Sequence, residues 1–175
     1  MLAVKTGKQV EFSPSVLERA NEIIARYPEG KQKSAILPIL HLAQNEFGGY
    51  LSVEAMDYVA RLLHIQPIEV YEVATFYSMY NMKPVGRFLL EVCHTGPCAI
   101  RGAEKLIETL KKKLGVEEDE VTSDGLFSIK RVECLAACGY APMLQCGEHY
   151  REHLDSEEKV ETLLNELRSK AIVNN

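Results

Sequence analysis

Residues 87–98 read RFLLEVCHTGPC and residues 127–138 read FSIKRVECLAAC. Each stretch is a short strand-like run that leads into a loop with a cysteine at both ends. Phe127 and Ile129 alternate with Ser128 and Lys130, the period-two pattern of a half-buried strand. Between the two runs a helix is expected over 97–114, with Ile100, Ala103, Leu106, Ile107, Leu110 and Leu114 on one face. A strand–helix–strand unit makes its two strands parallel. Both loops then leave the same edge of one sheet, and Cys93, Cys98, Cys134 and Cys138 converge on one small volume.

Downstream, 143–146 and 149–152 can pair as a hairpin through Gly147-Glu148, a Gly-X turn. Asp155 is placed to cap a last helix, with Glu158 three residues on and Val160, Leu163, Leu164 and Leu167 inward. The order strand, helix, strand, hairpin, helix is the outline of a thioredoxin-like fold without its middle helix. Pro142 stands where such folds often carry a cis-proline. Cys146, on the hairpin beside Leu144, reads as a small buried hydrophobe rather than a ligand.

Upstream the period changes. Lys83-Pro84-Val85-Gly86 marks a break, and the domain boundary is placed there: a helical bundle over 1–84 and a cluster-bearing domain over 85–175. Ser13-Pro14 offers a cap and a first-turn proline for a helix with Val16, Leu17, Ala20, Ile24 and Tyr27 on one face, ended by Pro28 and Gly30. A second helix fits about 31–47, with Ile36, Leu37, Leu40, Ala43 and Phe47 inward and Pro38 kinking it or delaying its start. A third opens at Ser52 and carries Met56, Val59, Ala60 and Leu63. A fourth begins at Pro67 and runs into the aromatic stretch 73–80. The fold class is therefore mixed: an N-terminal helical bundle, then a thioredoxin-like α/β domain.

Four thiols at the edge of one sheet suit a metal centre. Structural zinc takes tight C-x2-4-C knuckles. Here four residues separate the first pair and three the second, and iron–sulfur clusters accept looser and more varied spacings. A [2Fe–2S] cluster needs two ligands per iron, which Cys93 with Cys98 and Cys134 with Cys138 supply. Neither the C-x2-C-x2-C run of bacterial ferredoxins nor the plant-type C-x4-C-x2-C is present. Zinc, and loops that are merely tight turns, remain the alternatives. Cys98 is expected in the first turn of the 97–114 helix, at its positive end. Gly96, Gly139, Ala99, Ala136 and Ala137 are small enough to let backbone amides approach the sulfurs. His94 lies inside the first loop. A Rieske-type centre would need a second histidine there, and His64, His149 and His153 show no ligand spacing with the cysteines.

The composition narrows the classes further. The chain has 175 residues, 46% hydrophobic and 26% charged, with a net charge of −5. That balance argues against nucleic-acid binding, which needs a basic face; Lys111-Lys112-Lys113 reads as the cationic last turn of a helix. No run approaches the roughly 18 to 20 apolar residues of a bilayer span. The beginning has neither the apolar core of a secretory signal nor a transit-peptide pattern, so a cytosolic chain is expected. Five cysteines in such a chain point to metal or redox chemistry before structural disulfides. There is no G-x-G-x-x-G after a strand and no P-loop, so no nucleotide site is expected in this chain.

From about Phe12 to Leu167 the sequence resembles the small iron–sulfur subunit of the NADH-dehydrogenase module of respiratory complex I. Matching subunits of NAD-linked hydrogenases and formate dehydrogenases share the family. The likeness is carried by CHTGPCAIRGAEKL, VTSDGLFSIKRVECLAACGYAPML, SAILPILHLAQNEFGGYLS and VYEVATFYSMY. All four of the family's ligand positions are cysteine here. The resemblance implies a thioredoxin-like [2Fe–2S] ferredoxin domain behind a helical bundle. It also implies a partner subunit holding FMN and NADH, and a further iron–sulfur subunit of the same module. The assembly would lie in the cytoplasmic, peripheral arm of a bacterial inner-membrane complex, with no direct membrane insertion of this chain. The flavin would take a hydride, and this chain would exchange single electrons. A free-standing ferredoxin, which would not need the helical half, and a zinc-stabilised interaction module are the rival readings. A thioredoxin-like reductase lacks its C-x-x-C. The aromatic run 75–80 is expected either to pack on the thioredoxin-like domain or to dock onto the flavoprotein partner, and His41 reads as a satisfied core or interface histidine.

Overall fold

The computed structural model describes residues 3–173. The chain divides into two compact units, with the division between Pro84 and Val85.

The first unit is helical: α1 Pro14–Ile24, α2 Ile36–Glu46, α3 Val53–Leu63 and α4 Pro67–Phe76, with a 3-10 turn at Gln32–Ala35. Ala20, Ile39, Leu40, Ala43, Met56, Val59, Leu63, Val70 and Ala74 form its core. Proline explains where α2 begins. The 3-10 turn occupies 32–35, and Pro38 falls in the first turn of α2, where its missing N–H has no helical acceptor to lose. The Ser52 hydroxyl caps α3 by accepting the Ala55 N–H at 3.2 Å. Ser13 does not cap α1 with its side chain, and that helix ends at Ile24, before the Pro28 stop. α4 stops at Phe76, short of Tyr80. His41 is exposed rather than in the core, with its ring 5.0 Å from that of Tyr80. The Glu54 carboxylate reaches residues before α1, accepting the amides of Thr6 (3.0 Å) and Gly7 (2.7 Å).

The second unit contains β1 Phe88–Cys93, α5 Pro97–Ile100, α6 Ala103–Leu114, β2 Phe127–Val132, β3 Leu144–Cys146, β4 His149–Arg151 and α7 Glu157–Val173. The sheet order is β2-β1-β3-β4. β1 and β2 run parallel in the register Phe88↔Phe127 to Cys93↔Val132, and β3 runs antiparallel to both β1 and β4. Leu90, Val92, Phe127, Ile129, Leu144 and Cys146 supply one sheet face. Against it pack Leu106, Ile107 and Leu110 of α6 and Val160, Leu163, Leu164 and Leu167 of α7. The thioredoxin-like outline and the hairpin expected from the sequence are both present, and Ala141–Pro142 is cis.

Two expectations for the second unit are corrected. The helix expected over 97–114 is broken: Gly102 takes φ 102°, leaving α5 as a single turn before α6 starts at Ala103. Ile100 consequently points away from the core and is 88% exposed. The cap of α7 is Ser156, whose hydroxyl accepts the Lys159 N–H at 3.3 Å; Asp155 pairs with the Lys159 ammonium at 2.7 Å instead.

Candidate metal centre

Parallel pairing brings the cysteine loops together. β1 ends at Cys93 opposite Val132, and the His94 amide extends the ladder by donating to the Val132 carbonyl at 3.3 Å. The chain then turns through His94–Gly96 into α5, which carries Cys98, while the second loop leaves β2 through Glu133 to Cys134. Leu135 and Ala137 of the second loop pack on Cys93, Cys98, Ala103, Ala141 and Met143. Cys93 and Cys98 are buried, Cys134 and Cys138 are exposed, and all are free thiols. Among the described residues, no three His, Cys, Asp or Glu side chains are grouped as the ligands of a single metal ion would be.

The surroundings of the sulfurs are made of backbone N–H groups. Burial disfavours the Cys93 thiolate. The amides of Thr95 and Leu135, with the Cys98 and Thr95 side chains, outweigh that cost and hold its pKa below the ordinary thiol value. Cys98 is pushed up to about 11 by burial, by its hydrogen bond to Cys93 and by the charges of Cys93 and Cys138; the Met143 amide opposes the rise. The Ala136 N–H donates to Cys134 Sγ at 3.3 Å. These amides stabilise negative charge on sulfur, which a thiolate-bound iron–sulfur cluster presents. The donor set therefore fits that group. Cys98 owes nothing to a long-helix dipole, because α5 is only one turn.

Other side chains hold the frame. Arg131, near the end of β2, donates to both oxygens of Glu104 in the first turn of α6 (2.7 and 2.9 Å) and to Glu118 (3.0 and 3.1 Å). The His94 ring lies 3.8 Å from Glu133, so a contact joins the residue after Cys93 to the residue before Cys134. Tyr150 on β4 donates its hydroxyl to the Leu135 carbonyl at 2.7 Å. Cys146 stays apart from the four thiols in the α6–α7 core, and burial raises its pKa. Arg131, Tyr150 and the Leu135, Ala136 and Met143 amides carried no signal that sequence reading uses. An amide has no residue type, and Ala136 takes a left-handed φ of 58° that nothing in CLAAC announces.

A four-stranded mixed sheet with two helices on one face and paired cysteine loops at the end of its parallel strands defines a thioredoxin-like iron–sulfur protein. Residues 20–168 match the family model described as thioredoxin-like [2Fe-2S] ferredoxin, and the chain belongs to that family. Its cofactor is a [2Fe–2S] cluster, which exchanges one electron at a time. The chain is 46% identical over 158 residues to the E subunit of NADH-quinone oxidoreductase from Rickettsia bellii (strain RML369-C), covering 90% of this chain and 94% of that relative. It is 42% identical over 162 residues to the protein of the same name from Rickettsia prowazekii (strain Madrid E), covering 91% and 92%. Among solved structures, an NAD+-reducing [NiFe]-hydrogenase in its air-oxidised state has a similar fold, with a TM-score of 0.64 at 18% identity over 77% of this chain. The chain spans about a quarter of that hydrogenase chain, 23% of its length. Among the described residues no helix is long and apolar enough to cross a membrane.

Proposed function

We propose that this chain is the electron-transfer subunit of an NADH:quinone oxidoreductase, with Cys93, Cys98, Cys134 and Cys138 as the ligands of its [2Fe–2S] cluster. The observation that carries the ligand reading is the meeting of the two loops, with Leu135 and Ala137 of the second packed on Cys93 and Cys98 of the first and the Ala136 N–H donating to the Cys134 sulfur at 3.3 Å. In this reading Cys93 with Cys98 holds one iron and Cys134 with Cys138 the other.

The chain's residues hold the thiolates, donate N–H groups to them and cover one side of the centre with Leu135, Ala103 and Met143. NADH oxidation is assigned to an FMN-bearing partner subunit, and a further iron–sulfur subunit completes the module. Two relatives at 42% and 46% identity are named as a subunit of that oxidoreductase, which supports a place in a multi-subunit assembly. The place proposed for the module is the peripheral arm of a bacterial inner-membrane complex.

The test is to combine the cluster-loaded chain with the flavoprotein subunit of the same complex and add NADH under anaerobic conditions. The proposal expects stable co-elution and bleaching of the cluster's visible absorption only when the flavoprotein is present. A cluster that NADH never reduces in that assembly would refute the electron-transfer role.

A further inference from the structure

Cys134 opens the second cysteine loop and is exposed to solvent. Its sulfur accepts the Ala136 N–H at 3.3 Å, and Ala136 holds a φ of 58° that residues with a Cβ rarely adopt. A hydrogen bond to an exposed sulfur competes with water, so its persistence depends on what holds the donor in place.

That donor belongs to the peptide joining Leu135 to Ala136. The carbonyl of the same peptide accepts the Tyr150 hydroxyl at 2.7 Å. The peptide unit is rigid and planar, so fixing its oxygen also fixes the direction of its N–H. Donation to the oxygen further polarises the amide and strengthens the N–H as a donor. Tyr150 sits on β4, in register with Gln145 of β3, and so acts from a paired strand rather than from the loop.

We propose that Tyr150 is a positioning residue for the cluster: its hydroxyl pins the Leu135–Ala136 peptide so that the Ala136 N–H stays on the Cys134 sulfur. The inference rests on the reading of Cys134 as a ligand. Hydrogen bonds to sulfur favour the reduced, more negative cluster and raise its reduction potential. The Tyr150 hydroxyl therefore holds the potential above the value the loop would give alone.

The test uses the full chain with its cluster, in wild-type form, as Tyr150→Phe, and with 3-fluorotyrosine at position 150, a stronger donor than tyrosine when protonated. Iron and sulfide are counted first, and the potential is then measured by EPR-monitored titration below the pKa of the fluorinated phenol. Tyr150→Phe keeps the ring and removes only the hydroxyl. It should lower the reduced-to-oxidised ratio at the wild-type midpoint about threefold, equivalent to ~28 mV at ~59 mV per decade for one electron. The fluorinated form should shift the midpoint the other way. Opposite shifts at unchanged cluster content support the inference. Unmoved potentials, or shifts of one sign in both forms, overturn it while leaving the cluster reading intact. If Tyr150→Phe fails to load, the direction of the fluorotyrosine shift decides. A wild-type chain without iron and sulfide overturns the ligand reading and this inference with it.

Discussion

Leu135, in the second cysteine loop, packs against Cys93, in the first, and its amide helps hold that thiol's pKa below the ordinary value. The contact crosses between loops about 40 residues apart in sequence and joins a buried sulfur to the segment that carries the exposed ones. It exists because β1 and β2 are parallel and in register, so that both loops emerge at one edge. Replacing Cys93, Cys98, Cys134 or Cys138 with Ser should each abolish or strongly destabilise the cluster, read as iron content and visible absorption. Cys146→Ser should leave the cluster in place. The substitution would bury a hydroxyl in the core of the second unit and cost roughly 1–3 kcal/mol, measurable by urea titration.

Gly86 precedes β1 at a point where the chain passes against β2. A Cβ there would lie 2.4 Å from the Phe127 carbonyl carbon and 2.7 Å from its Cα, contacts with backbone that no rotamer relieves. The Gly86 N–H also donates to the buried Ser128 hydroxyl at 3.0 Å. Gly86→Ala should destabilise the second unit by roughly 3 kcal/mol, measured by chemical denaturation.

Arg131 ties the end of β2 to the first turn of α6 through Glu104 and to Glu118. The two carboxyl groups are held below the usual range, chiefly by their hydrogen bonds to this guanidinium. Because the pairs are partly exposed, Arg131→Met should cost only about 1 kcal/mol, and molar salt should narrow the gap from wild type. A cost that does not respond to salt would point to packing by the arginine stem instead.

Glu54 gives a pH signature to the helical unit. Partial burial raises its carboxyl pKa, but the amides of Gly7 and Thr6 and the Thr6 hydroxyl outweigh this and hold it at about 2, against an ordinary 4.5. A depressed folded-state pKa contributes stability that is complete above the unfolded value and is lost as the pH falls toward the folded one. The stability difference between wild type and Glu54→Gln should therefore be constant above about pH 5 and shrink between roughly pH 4.5 and 2. Denaturation midpoints across that range would check it.

The strands, the hairpin and the paired cysteine loops were legible because alternation and chain reversal leave marks in residue type. Phe127–Val132 was readable to the residue, and Gly147-Glu148 announced its turn. The break at Gly102 was not, because a glycine inside an otherwise periodic run costs a helix only about 1 kcal/mol and does not disclose its own φ. Periodicity alone puts Ile100 in the core for that reason, where the structure does not. Asp155 and Ser156 are both good cap residues, and only geometry chose between them. The loop amides were beyond reach in principle, since the direction of an N–H follows from backbone angles. In Ala136 those angles are atypical for the residue present.

The central claim is tested most directly by counting iron and acid-labile sulfide in the purified chain, with EPR spectra before and after dithionite. The account predicts two irons and two sulfides per chain and an S = 1/2 signal that appears on reduction. A colourless protein with one zinc per chain and no labile sulfide would contradict it.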